Sequence, residues 1–324
     1  MMRMRLQAVV CLIAWIYPAV SSAAEVYPTK PVRVIASFGP GSTADLAARI
    51  VSQQLAEQMG KPFIVDNRPG AAGTIGYSTV AKSTADGYTL MLGEVSLTMS
   101  AGLLKHLTYD VERDFTPITQ LIRTPMALVV NPSLNASTVK ELVALARANP
   151  GKLNYASVGV GSAVHMATEL FKLAAKINIV QIPYKTGGEM VSGLLGGQTQ
   201  MLLTTMPNVV GIVKSGKVRA LAVTTEGKRS PTMPDVPTMA EAGLPGVTVY
   251  TWAGLFAPRG IAKPLVAKLH AEATRALTTP AVRDRFVADG AEIVGSTPEA
   301  FSIHVRSELK RWAGVIKSGN ITAE

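Results

Sequence analysis

Residues 32–60 read VRVIASFGPGSTADLAARIVSQQLAEQMG, and this stretch decides the fold class. Val32 to Ser37 is a short run rich in β-branched residues, as a strand requires. Phe38-Gly39-Pro40-Gly41-Ser42-Thr43 interrupts it with turn formers. From Asp45 to Met59 the period changes to that of a helix, with Ala47, Ile50, Val51 and Leu55 on one face and Gly60 as the stop. Strand, glycine-rich turn and helix form one α/β unit.

The unit recurs along the chain. Phe63 to Asp66 is a second strand, followed by the turn Gly70-Ala71-Ala72-Gly73-Thr74-Ile75-Gly76 and a helix to Lys82; Tyr88 to Gly93 is a third strand. Pro117 to Ile122 and Met126 to Val130 then read as two strands in succession, with Thr124-Pro125 between them marking a crossing between domains. A fresh series begins with a capping box, Thr138 with Glu141, on a helix to Ala148 that Asn149-Pro150-Gly151 ends. Leu153 to Ala156 is a strand, Ser157 to Ser162 a glycine-rich loop, and a helix continues to Ala175. Strands near Ile179 to Ile182, Gln200 to Leu203 and Val218 to Val223 are separated by helix-sized segments. Residues 224–246 show little periodicity. Thr248 to Phe256 is a returning strand, and the remainder reads as helix. The last helix starts with Thr297 as N-cap and Pro298 at its first position, and spaces Phe301, Val305, Leu309, Trp312 and Ile316 for a core.

Composition agrees with a folded body. The chain has 324 residues, 48% hydrophobic and 17% charged, which excludes a disordered or fibrous chain. At about 150 residues per domain, two domains are expected. Residues 1–24 read as a cleaved signal peptide: Arg3 and Arg5, the apolar run Leu6 to Tyr17, and Ser22-Ala23-Ala24 as the cleavage site. Spanning a bilayer takes about 20 apolar residues, and this run ends at Pro18. Cys11 lies inside the leader, so a cysteine-free, secreted body is expected. Cleavage lowers the formal net charge from +10 to +8. The basic residues form no run, and aromatic platforms are sparse, so nucleic acid is not an expected partner.

Three strand–turn–helix junctions, Phe38 to Thr43, Gly70 to Gly76 and Ser157 to Ser162, can trap an anion. Glycine lets successive N–H groups point into one concavity, and the helix behind contributes about half a positive charge. In parallel α/β sheets such turns gather at the carboxyl ends of the strands. The first loop also fits the dinucleotide pattern G-x-G-x-x-A, with Asp66 placed as a ribose-binding acid, so a secreted NAD-dependent oxidoreductase is a rival reading. Export of the chain and the lack of a hydride-transfer constellation count against it. His106, His165, His270 and His304 occur singly, without metal spacing, and no G-x-S-x-G elbow is present, so neither a metal nor a hydrolase centre is expected.

Several longer stretches together carry a resemblance. They are Tyr27-Pro28-Thr29-Lys30-Pro31-Val32-Arg33, Asp66-Asn67-Arg68-Pro69-Gly70 continuing to Gly76, Asp86-Gly87-Tyr88-Thr89-Leu90, and Asn149-Pro150-Gly151-Lys152-Leu153-Asn154-Tyr155-Ala156-Ser157. Gly159-Val160-Gly161-Ser162 with His165, Pro183-Tyr184-Lys185, Ala220 to Thr224 and Pro234-Asp235-Val236-Pro237-Thr238 complete the set. With these the chain resembles the Bug-type receptors of the tripartite tricarboxylate transporter family over nearly its whole length. The resemblance implies a non-enzymatic periplasmic receptor of the two-lobed Venus flytrap type, α/β in both lobes, with two crossing strands. Its lobes would be 25–124 with 250–324, and 125–249. It further implies a monomer without cofactor that closes on one small carboxylate, partly through bridging waters, and delivers it to membrane transporter subunits or reports it to a signalling partner.

Carried over, the site falls on Phe38, Gly39, Gly41, Ser42 and Thr43 of one lobe and Ser157, Val158, Gly159, Gly161 and Ser162 of the other. Gly73, Thr74 and Ser96 are expected neighbours from lobe one, and His165, Tyr184 and Thr204 from lobe two. Asp45 and Arg68 are expected to brace their own turns. This chain departs from the family pattern twice. Gly41-Ser42 replaces a glycine pair, adding a side chain to the cradle. Glu94 stands where a neutral residue is more usual, and is expected to face the cleft and favour a ligand with an ammonium or hydroxyl group.

Overall fold

The computed structural model describes residues 27–40 and 42–323. The expected signal peptide, Cys11 and Gly41 lie outside the described residues, as does the side chain of Thr43.

The first series of units is β1 (Val32–Ala36), α1 (Thr43–Met59), β2 (Phe63–Asn67), α2 (Thr74–Ala81), β3 (Thr89–Glu94) and α3 (Ser96–Leu103). Gly60 ends α1 in the left-handed region at φ 70°, as a helix stop should. β4 (Phe115–Val130) is followed by α4 (Val139–Ala148), β5 (Asn154–Ser157), α5 (Ala163–Ala175), β6 (Val180–Pro183), α6 (Gly187–Leu195), β7 (Met201–Thr205), α7 (Met206–Lys214) and β8 (Arg219–Val223). The chain returns through β9 (Tyr250–Pro258), α8 (Lys263–Thr278), α9 (Pro280–Ala288), β10 (Glu292–Ile293) and α10 (Pro298–Gly319). The capping box at Thr138 and Glu141 is formed. Along α10, Phe301, Val305 and Trp312 are buried, with Leu309 and Ile316 packed beside them.

Two sequence expectations need correcting. Residues 117–130 are not two strands but part of the single 16-residue β4, which runs through Pro117 and Pro125. Its partner β9 holds it together: Phe115 pairs with Pro258 and Pro125 with Tyr250, and register shifts near Pro117 and Gln120 absorb the missing donor and the local twist. The tail after Phe256 is also not all helix, since Glu292 and Ile293 pair with Arg123 and Ile122.

β4 joins two halves of one curled sheet, ordered β2-β1-β3-β9-β4-β7-β5-β6, with β10 and β8 also on β4. Its early residues lie between β9 and β10; its late residues, from Met126, lie between β7 and β8. Strand directions follow from the pairings. β1, β2 and β3 are mutually parallel, β3 is antiparallel to β9, and β9 is antiparallel to β4. The first three strands therefore run with β4, towards the second half. β7 is antiparallel to β4, and β5 and β6 run with β7, back towards the first half. The carboxyl ends of the two strand sets face each other across the middle of β4.

The junction itself is tied by hydrogen bonds. Thr224, fully buried, accepts the Met126 N–H at 2.8 Å through Oγ1 and bonds the Val249 carbonyl with the same hydroxyl. Thr251 Oγ1 donates to the Thr124 carbonyl at 3.3 Å. These bonds fasten both connecting strands where they pass from one half to the other.

Candidate functional site

Each inward-facing strand end passes into a turn and a helix N-terminus: α1, α2 and α3 from the first half, α5, α6 and α7 from the second. Unpaired N–H groups and the positive ends of six helices thus converge on one zone.

At the tip of β1, Phe38 and Gly39 form the turn and Ser42 caps α1, its Oγ accepting the Asp45 N–H at 3.1 Å. A Cβ on Gly39 would meet nothing within 4 Å, so the cradle is open there. Asp45 is buried, with its carboxylate engaged by its neighbours. It receives Asn67 Nδ2 at 2.8 Å and Arg49 Nε at 3.1 Å. The same Asn67 amide donates to the Phe38 carbonyl at 2.9 Å, so tips β1 and β2 are locked together. Arg68 and Arg33 both bond Asp66. Although partial burial raises the Asp66 pKa, the two guanidiniums outweigh it and hold the carboxyl below its ordinary value. With its oxygens engaged, Asp66 is a turn brace, and the feature that suggested a ribose site is accounted for.

At the tip of β2 the chain makes a left-handed turn: Ala71, Ala72 and Gly73 have φ of 47°, 54° and 89°. Two successive alanines in this region cost about 1–2 kcal/mol each, so the surrounding structure must enforce it. Consecutive N–H groups in such a turn point into one concavity. Gly73 is buried above the Tyr77 ring, and Thr74 opens α2. At the tip of β3, Glu94 is half-buried and accepts a hydrogen bond from the buried Ser96 hydroxyl at the start of α3.

Across the junction, Ser157 is fully buried at the end of β5. Its Oγ accepts the Gly159 N–H at 3.1 Å and Gln181 Nε2 at 2.5 Å. Ser162 caps α5: Oγ accepts the His165 N–H at 3.3 Å and donates to the Gly159 carbonyl at 2.8 Å. Nδ1 of buried His165 accepts the Gly161 N–H at 3.3 Å, placing the ring proton on Nε2, towards Glu169 at 3.9 Å. Burial lowers the pKa of this histidine, so it braces the loop as a neutral ring. Val158 is exposed at the tip. Thr204, fully buried, receives Asn208 Nδ2 at 3.0 Å.

The two loop sets touch. A Cβ on Gly161, whose φ is 81°, would lie 2.9 Å from Leu103 Cδ2 and 3.9 Å from Ala72 Cβ. Tyr184 begins at this zone, its N–H donating to the Ser157 carbonyl at 2.8 Å, but its side chain turns away along α6. Its ring lies against Gly193, and its hydroxyl meets Gln198 Oε1 at 3.1 Å, at the end of α6 remote from the strand tips. Sequence reasoning marked the turn Gly70 to Gly76 as a whole without singling out Ala71 or Ala72, and passed over Leu103 and Asn208. The left-handed turn was legible only as a string of small residues, and Leu103 carries no signal beyond its hydrophobicity. Among the described residues no group of three acidic, histidine or cysteine side chains is placed to hold a metal, and no helix is long and apolar enough to cross a membrane.

Comparison with known proteins bears on this geometry. Residues 47–321 match the sequence model of the tripartite tricarboxylate transporter family receptor. The chain is 38% identical over 297 residues to protein BugT of Bordetella pertussis, covering 91% of each. Among solved structures, it is similar to Rpa4515 of R. palustris with adipate, with a TM-score of 0.84, 35% identity and coverage of 91% and 99% of the two chains. It is also similar to MatC from Rhodopseudomonas palustris with bound malate, with a TM-score of 0.82, 32% identity and coverage of 90% and 100%. The shared fold is that of the two-lobed periplasmic binding proteins, whose cleft lies between two α/β halves.

Proposed function

This chain belongs to the tripartite tricarboxylate transporter family of receptors, and we propose that it captures one small carboxylate in the periplasm and delivers it to membrane transporter subunits. The observation that carries this reading is the convergence of strand ends and helix N-termini from both halves, with Gly161 against Leu103 and Ala72. Main-chain N–H groups and helix dipoles suit an anion of any shape. That the similar structures hold adipate and malate supports an organic acid as the anion.

In this reading, lobe one comprises residues 25–124 and 250–324 and lobe two 125–249. The acid is gripped by the turn Phe38 to Thr43 with Gly73 and Thr74 on one side. Ser157 to Ser162 closes on it from the other, with Thr204 behind. Ser42, Ser162, Asp45 and His165 hold the turns in shape. Ligand contacts available only when the lobes meet shift the hinge equilibrium towards closure, and the closed form is what the membrane subunits read. No bond is made or broken. Each charge-assisted hydrogen bond to the acid should contribute about 1.5–3 kcal/mol, roughly ten- to a hundredfold in affinity.

A thermal-shift screen of mono-, di- and tricarboxylates and amino acids tests the proposal, since a ligand that binds only the folded state raises its stability. One or more acids should raise the melting temperature in a concentration-dependent way. Stabilisation by a nicotinamide dinucleotide and by no acid would contradict it.

A further inference from the structure

Beneath the left-handed turn lies a buried polar floor that the grip on the acid does not use. Ser37, which follows β1, and Tyr77 of α2 are both fully buried, and among the described residues neither hydroxyl makes a hydrogen bond of normal geometry, although the two lie close enough to interact. Ser100 Oγ of α3 and Tyr109 OH are in the same condition, the Tyr109 ring lying 5.9 Å from that of Tyr77. The turn sits directly on this floor. A Cβ on Gly76 would lie 2.5 Å from Ser37 Oγ, and one on Gly73 would lie 3.1 Å from the Tyr77 hydroxyl.

Glu94 is the one acid at this place. β3 lies beside β1 in the sheet, so Glu94 ends its strand next to the tip that carries the first loop. Ser96 and Ser100 from α3, Tyr77 from α2 and Ser37 after β1 surround the cluster; across the strand pairing stands Ala253 of β9. All but Ala253 offer hydroxyls, and the only titratable groups among them are Tyr77 and, behind it, Tyr109. Glu94 makes no salt bridge among the described residues. Withdrawal from water pushes its carboxyl up to about 7, against the opposing pull of the Ser96 bond. A carboxylate held this way costs stability unless a cation arrives to pair with it. The described residues supply none, whereas Asp45 and Asp66 of the same lobe are each matched by arginine.

We propose that Glu94, backed by Tyr77 and Ser37, is the specificity-determining group for the second end of the solute, and that it selects an acid that also carries an ammonium group, an amino acid, over the unsubstituted acid. The inference rests on carboxylate capture by the facing loops. Its pH signature follows from the sign of the charges. An ammonium pairs only with ionised Glu94, so the affinity for an amino acid rises with pH through neutrality. A second carboxylate with no ammonium beside it is accepted only by the protonated form, so the affinity for the unsubstituted diacid falls.

Calorimetric titration of three matched pairs, aspartate with succinate, glutamate with glutarate and 2-aminoadipate with adipate, at pH 6 and pH 8 tests this. For the best-fitting length, the amino acid should bind at least tenfold tighter than its partner at pH 8, and its affinity should rise about tenfold between the two pH values. In Glu94→Gln the ratio within the pair should fall to near one and the pH dependence should disappear. Tighter binding of the diacid at pH 8, or an amino-acid preference that survives Glu94→Gln, overturns the assignment while leaving carboxylate capture standing. The wild-type pH dependence needs no variant and is decisive if Glu94→Gln fails to fold. If none of the six compounds binds the wild type, the assignment of Glu94 to this end of the solute falls, and the wider screen of mono- and tricarboxylates decides whether carboxylate capture falls with it.

Discussion

Asn67 donates its amide to Asp45 Oδ1 at 2.8 Å, and its second bond, to the Phe38 carbonyl, makes that pair the lock on the first loop. Asn67→Ala should remove one of the hydrogen bonds to the buried Asp45 carboxylate and the side-chain donor to the Phe38 carbonyl, at a cost of about 1–3 kcal/mol. Denaturant unfolding checks the cost, and calorimetry should show a weaker grip on the ligand. An unchanged affinity would mean that the loop holds its shape without the lock.

Ser162 serves the α5 terminus twice, as acceptor for His165 and donor to Gly159. Ser162→Ala should cost about 1 kcal/mol of stability as a lost N-cap and loosen the loop, reducing affinity as well. Ser162→Asn should restore the cap and most of the stability. Stability equal to wild type in the alanine variant would remove the cap from the account.

Gly161→Ala tests the approach of the two loop sets. The new methyl group would sit 2.9 Å from Leu103 Cδ2 at a backbone φ of 81°, which strains any residue with a Cβ. Ligand affinity should fall at least tenfold, and adding Leu103→Ala should recover part of it by making room. Recovery of nothing would assign the loss to backbone strain alone.

Thr224 holds both connecting strands, so Thr224→Val should bear on motion as much as on stability. The isosteric change orphans the Met126 N–H and costs about 1–3 kcal/mol. Small-angle scattering with and without ligand should show a change in the compaction that ligand produces; identical profiles for wild type and variant would exclude Thr224 from the hinge.

Two perturbed groups at the site, His165 and Glu94, predict opposite pH dependences. Burial depresses the His165 pKa, so on acidification below its unfolded value of about 6.5 the unfolded chain takes up the proton first and stability is lost. Glu94 is raised to about 7, so its protonated form favours the fold at low pH, and stability is lost as pH rises from its unfolded value of about 4.3 through 7. Glu94→Gln should therefore stabilise the protein at pH 8, by up to about 3 kcal/mol, and change little at pH 4. Unfolding curves at both pH values decide it; equal effects at both would refute a raised Glu94.

How much of this was legible in the sequence depends on whether local pattern and tertiary contact agree. In residues 32–60 they agree: the period changes where the strand ends, and Gly60 takes the left-handed conformation a helix stop needs. α10 was readable because only one of its faces is buried. α3 was not, since Ser96, Leu97, Thr98, Met99 and Ser100 are all buried and leave no amphipathic period. β4 was read as two strands because prolines mark strand ends in isolation, whereas here β9 pairs along both parts. The glycine loops of the site announced themselves by composition. Tyr184 stood at the right place in the chain, but the lack of a side chain on Gly193 lets its ring turn away. Ser37 and Tyr77 look like any strand end and any helix residue until the fold stacks them under the turn.

The central claim, that facing main-chain amides hold an organic acid, is tested most directly by a crystal structure with the acid that stabilises the protein best. The account predicts one carboxylate with its oxygens about 3 Å from N–H groups of both 38–43 and 157–162. A ligand seated elsewhere, or held there by a group other than an acid, would contradict it.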